Sequence, residues 1–198
     1  MKFFIAITFS LLSFISLNAV AQQSLVNKQT PAAEQYGNTL NLAIGLGGYY
    51  GYTSIYGRTL PVLHADYEFG VAKNFTLAPF INFYTYSNNY YWGNHNNPYR
   101  NYSYHETVIP IGIKGSYYFD QLLKANNKWD FYLAGSLGFS IVNQHWDNGY
   151  NGDVHYFNNR SPLFLDFHIG TEYHINHQVG LTLDLSSGIS TFGVAIHK

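Results

Sequence analysis

Between positions 163 and 175 the chain reads Leu-Phe-Leu-Asp-Phe-His-Ile-Gly-Thr-Glu-Tyr-His-Ile. Its odd positions Leu165, Phe167, Ile169, Tyr173 and Ile175 are apolar, whereas Asp166, His168, Gly170, Glu172 and His174 are polar, ionisable or tiny. A period of two puts these sets on opposite faces of an extended strand, and no helix sorts them this way. A strand with two such unlike faces needs two unlike environments.

The same alternation recurs along the chain. It predicts strands over about 39–48, 60–71, 75–86, 104–120, 129–141, 163–175, 179–186 and from about 190. Short polar connections at 72–74, 121–128 and 176–178 alternate with long polar stretches at 87–103 and 143–161. In the third strand Phe80, Tyr84 and Tyr86 make the second face less polar than elsewhere, and Pro110 in the fourth predicts a bulge or local irregularity because proline cannot donate to a ladder. Eight antiparallel strands of about nine to twelve residues, with short turns at one end and long loops at the other, fit an all-β, eight-stranded up-and-down transmembrane β-barrel.

A soluble barrel with apolar residues inside uses the same period. Face chemistry decides against it. The apolar face is bulky and continuous, while the opposite face mixes Gly, Ala and Ser with few ionisable groups, as a cramped eight-stranded lumen requires. Only 11% of residues are charged while 19% are aromatic, too little charge to solvate an outer surface. Tyr67, Tyr117, Trp129 and Tyr173 gather near strand ends, as interfacial girdles do.

Met1-Lys2, an apolar run from Phe3 to Leu17 and the small-residue ending Ala19-Val20-Ala21 predict a signal peptide over 1–21, cleaved before Gln22. Residues 22–38 read as a flexible N-terminal segment, and 39–198 as the barrel domain. The absence of cysteine excludes disulfides and thiolate metal sites, and a near-neutral formal charge of −1 argues against nucleic acid as a partner.

Leu60-Pro61, Tyr67-Glu68-Phe69-Gly70-Val71, Ile109-Pro110-Ile111-Gly112-Ile113-Lys114, Tyr117-Tyr118-Phe119 and Gly193-Val194-Ala195-Ile196 together resemble the small outer-membrane β-barrels common in Bacteroidetes, allied to the OmpA/OmpX type. The resemblance implies a bacterial outer-membrane location, outer-membrane lipid and lipopolysaccharide as surroundings, and the barrel-assembly machinery as a partner. Family members usually close on an aromatic residue, whereas this sequence ends Ile196-His197-Lys198.

Three groups of residues are candidates for function. Lys114, Asp66, Glu68, His168, Glu172 and Asp184 fall at comparable depths on the inward face, and predict a lumen filled by a polar network in which a buried cation is paired with carboxylates. A narrow porin-like channel is the alternative use of the same groups. Arg58, Arg100 and Arg160, the only arginines, lie at the long-loop end and are candidates for lipopolysaccharide phosphate contacts or ordinary rim charges. Tyr90, Tyr91, Trp92, Tyr99, Trp146 and Tyr150 sit among Asn, Gly and Ser in the long loops, a mixture suited to surface recognition of an extracellular ligand, and equally to extending the girdle.

Histidines 95, 105, 145 and 155 lack a tight metal-ligand spacing, so neither a metal nor any other cofactor is expected. A lipid A-modifying enzyme would need a hydroxyl beside an imidazole. No His-x-Ser pair and no lipid-facing histidine occur on the predicted strands, so the chain reads as non-enzymatic.

Overall fold

The computed structural model describes residues 36–48, 58–59, 61–123, 125–146, 150 and 162–198. The predicted signal peptide, most of the N-terminal segment and Arg160 lie outside the described residues. Eight strands run in chain order: β1 (Thr39–Gly47), β2 (Val62–Ala72), β3 (Phe75–Asn94), β4 (Asn97–Tyr118), β5 (Trp129–Trp146), β6 (Leu163–His174), β7 (Val179–Ser186) and β8 (Ile189–His197). A helical turn, α1 (Asp120–Leu123), links β4 to β5, and Arg58–Thr59 pairs with Tyr86–Ser87 of β3.

Each strand is antiparallel to its sequence neighbours, and β1 pairs with β8 from Thr39↔His197 to Gly47↔Ile189, so the sheet closes on itself. Closure leaves no edge among the eight. The lower end carries the 73–74 turn, α1, the 175–178 turn and the C-terminus; the upper end carries the 95–96 turn and the 187–188 turn.

Alternation sorts the faces as the sequence predicts. Leu137, Phe139, Leu165, Phe167 and Ile169 are each more than half exposed, while Ser136, Asp166 and Glu172 are buried. On β4 the outward apolar run extends from Ile109 to Tyr117, about 20 Å along the barrel axis at a rise of about 3.3 Å per residue and a tilt of about 40°. Trp129 packs on Tyr173 with ring centroids 4.9 Å apart, and Tyr67 on Phe69 at 4.8 Å, so aromatic residues rim the lower margin of this belt.

Three expectations need correction. The stretch 87–103 is not a loop: β3 and β4 continue as a hairpin that turns only at His95-Asn96, where Asn94 Oδ1 accepts the Asn96 and Asn97 amides at 2.9 Å each. Strands β3, β4 and β5 are therefore 20, 22 and 18 residues long rather than nine to twelve. Period-two patterning does persist through this region, but with aromatics inside and Asn, Ser and His outside, the reverse of the belt, and tyrosine is a strong strand former.

At Pro110 the expected irregularity is a gap in one ladder and not a bulge. The β4–β5 register holds through Pro110↔Ser140, and the β3–β4 register is the same at Ile81↔Ile111 as at Tyr84↔Val108. The β3–β4 ladder merely skips the pairs between them, which removes the need for a proline donor.

Finally, Tyr36 to Asn38 are not loose. Tyr36 is buried, stacks on Tyr118 at 4.1 Å and donates its hydroxyl to Asp120 at 2.7 Å, while the Asn38 amide donates to the Glu68 carbonyl. Gly37 has φ of +103°, and a Cβ there would meet the Gly70 nitrogen at 2.2 Å, so the entry into β1 requires glycine.

Candidate functional site

Side chains fill the lumen in layers. At the bottom lie Tyr36, Tyr118 and Tyr132; above them sits a layer of ionisable groups; Val62, Phe80, Tyr84, Val108, Phe164 and Ile189 form an apolar cap; Tyr86 and Tyr104, with Trp146 against them, come last. The polar layer is thus enclosed between apolar ones, and the lumen is less uniformly polar than its sequence suggests. Phe80 and Phe164, 5.5 Å apart, account for the third strand's mixed inner face.

Lys114 Nζ donates to Asp66 Oδ2 at 2.6 Å and lies 3.8 Å from Glu68 Oε1. Asp66 also accepts from Asn41 Nδ2 at 2.7 Å and pairs with His64 Nε2 at 2.9 Å, whose Nδ1 meets Asn82 at 2.6 Å. Tyr118 donates to Glu68 at 2.6 Å. A buried ammonium hydrogen-bonded to one carboxylate and beside a second has its charge compensated, the condition under which burial is tolerated.

Across the lumen His168 Nδ1 meets Asp184 Oδ1 at 2.7 Å, His168 Nε2 meets Ser136 Oγ at 2.8 Å, and Tyr132 donates to Asp184 Oδ2 at 2.8 Å. Ser136, His168 and Asp184 therefore stand in the order of a hydroxyl, base and orienting acid. Sequence reasoning missed this because Ser136 and His168 are 32 residues apart on adjacent strands. Their surroundings leave no place for an acyl substrate: the cavity among Lys114, Asp66, His168, Asp184 and the two phenylalanines is about 30 Å³, room for one or two waters.

Glu172 and Asp166 line the same cavity and take their closest partners at its two ends. Glu172 belongs to the lower mouth, where its Oε1 meets His197 Nε2 at 2.6 Å. Asp166, 3.8 Å from His168 Nε2, also caps the upper β7–β8 turn: its oxygens accept from the Ser186 and Ser187 hydroxyls and from the Gly188 and Ile189 amides at 2.6–3.1 Å.

Of the aromatic candidates, Trp146 stacks on Tyr150 at 4.1 Å, and Trp92 meets Tyr150 at 5.3 Å; Tyr90 joins Trp146 edge-on at 6.3 Å. These rings pack on one another above the barrel. Tyr91 and Tyr99, 5.8 Å apart and each about two-thirds exposed, point the other way. Arg100 lies over the Tyr102 ring at 4.5 Å, and Arg58 pairs through its backbone with Ser87.

No family model and no curated protein matches the chain. Among solved structures, a de novo designed transmembrane β-barrel is similar over 82% of this chain and 98% of its own, with 11% identity and a TM-score of 0.44. The outer-membrane protein Ail of Yersinia pestis shares 11% identity over 81% of this chain and 99% of its own, with a TM-score of 0.37. Outer Membrane Protein W of E. coli shares 13% identity over 83% of this chain and 100% of its own, also with a TM-score of 0.37. Likeness at this level assigns no function.

Proposed function

We propose that the chain is a non-enzymatic outer-membrane β-barrel of a Gram-negative bacterium of the Bacteroidetes type, exported by its signal peptide, with a plugged lumen and a surface-recognition role carried by the β3–β4 hairpin. One observation carries the reading: the outward face changes chemistry along a single pair of strands. On β4 it runs Tyr117, Ile113, Ile111, Ile109 and then Thr107, His105, Ser103, Asn101. The first set suits hydrocarbon and the second water.

Above that border the hairpin projects as ordered β-structure, stiffened from inside by the Trp92, Trp146 and Tyr150 rings. Its outer surface offers Tyr91 and Tyr99 among Asn and Ser, rigid amphipathic rings beside adaptable hydrogen-bonding groups. Arg100 stands on the same tip and is our candidate for contact with lipopolysaccharide phosphate. The Ser136–His168–Asp184 relay is read as structural because the cavity beside it holds only water-sized groups.

Outer-membrane fractionation with heat-modifiable gel migration tests the location. A binding screen against host glycans, matrix proteins and surface polysaccharides, run with the intact chain and with Tyr91→Ser/Tyr99→Ser, tests the role. Binding lost in the variant supports it, and a full screen without a hit removes it.

A further inference from the structure

At the lower mouth three potential ligand atoms converge: Glu172 Oε1, a ring nitrogen of His174 and one of His197, all within 4.8 Å of one another. Glu172 and His174 are two apart on β6 and so share a face. His197 arrives from β8, two strands away, and Glu172 reaches it by passing over Gly180 of β7, where a Cβ would meet Oε1 at 1.9 Å. Glycine at 180 is thus what lets the carboxylate cross.

The outer nitrogens are already held. His174 Nε2 meets Asp130 Oδ2 at 2.8 Å, leaving Nδ1 facing Glu172 Oε1 at 3.5 Å. His197 Nδ1 meets Thr39 Oγ1 at 3.0 Å, leaving Nε2 on Glu172 Oε1 at 2.6 Å. An imidazole whose far nitrogen is fixed by an oxygen partner while its near nitrogen points at a common centre is the arrangement that orients histidine ligands on a metal.

We propose that Glu172, His174 and His197 bind a borderline divalent cation of the zinc type. Two imidazoles and a carboxylate suit such an ion, and leave a further position open to water. Zinc–ligand bonds of about 2.0–2.1 Å place tetrahedral ligands about 3.3 Å apart. The His174–Glu172 separation of 3.5 Å already fits, the His197–Glu172 contact of 2.6 Å has to open by less than about 1 Å, and the two ring nitrogens, within 4.8 Å of each other, have to approach by up to about 1.5 Å through small rotations of the imidazoles and the glutamate end. Both histidines are about one-fifth exposed, so the site is open to solvent at the mouth. The site depends on the barrel alone and not on what the hairpin binds.

The test is calorimetric titration of Zn²⁺ into the untagged, refolded chain in detergent. Saturable 1:1 binding is expected, abolished in His174→Gln/His197→Gln and weakened about 10–100-fold in Asp130→Asn, which keeps every ligand but removes the partner of His174. Heat-modifiable migration of each variant shows that the barrel has formed. Absence of saturable binding in the folded parent chain overturns the proposal, as does a dissociation constant unchanged in the double variant, which would assign the metal to the other histidines.

Discussion

Lys114 and Asp66 meet at 2.6 Å from strands that are not neighbours: β3 lies between β4 and β2, and the contact is made across the curved inner wall. This pair, with Glu68 at 3.8 Å, ties one side of the lumen together. Lys114→Met leaves two buried carboxylates without their cation and is expected to cost roughly 3–5 kcal/mol in urea unfolding of the reconstituted barrel. Lys114→Met/Asp66→Leu should recover part of that loss, because the second change removes one of the stranded charges.

Tyr132 and Gly170 face each other across β5 and β6, and the ring covers the glycine so closely that a Cβ at 170 would meet Tyr132 Cζ at 2.1 Å. Gly170→Ala must push the ring from Asp184. An overpacking cost of roughly 1–3 kcal/mol is expected in the same unfolding assay, together with loss of the Tyr132–Asp184 hydrogen bond from the hydroxyl-proton spectrum.

Above the belt ring contacts from β5 buttress the ladder of the hairpin. Trp146→Ala removes its ring contacts with Tyr150, at 4.1 Å, Tyr104, at 4.6 Å, and Tyr90, at 6.3 Å. At about 1 kcal/mol per pair the local opening equilibrium rises about 150-fold. Limited trypsinolysis should then cut faster at Arg100 while the barrel still shows its folded gel mobility.

A lumen with a cavity of about 30 Å³ between an aromatic floor and an apolar cap is too narrow for a hydrated ion, so the proposed plug is expected to block current. Planar-bilayer recordings of the intact chain should show no steady conductance. A steady current altered by Lys114→Met would establish a channel in its place.

Strand existence and facing were legible because a period-two pattern with one bulky apolar face has a single consistent burial, and a one-residue slip inverts it. The inward direction of Lys114, Asp66 and Glu68 followed from parity alone. The hairpin extension was misread because its alternation is inverted: Tyr90 and Trp92 face in while Tyr91 and Asn101 face out, and a search for apolar-out strands sees only polar loop. The pairings of His168 with Ser136 and of His197 with Glu172 were invisible for another reason. Both join residues 25 or more apart, and which side chains meet depends on register and on a glycine such as Gly180 opening the way.

Everything proposed rests on which face of the sheet meets lipid. Methyl-labelled Ile, Leu and Val in a lipid nanodisc answer this by nuclear Overhauser contacts to acyl-chain protons. Leu137, Ile169 and Leu183 should show strong acyl contacts, while Val62, Val108 and Ile189 should show none. Acyl contacts at the second set, or water contacts in place of lipid at the first, would contradict the apolar-out barrel.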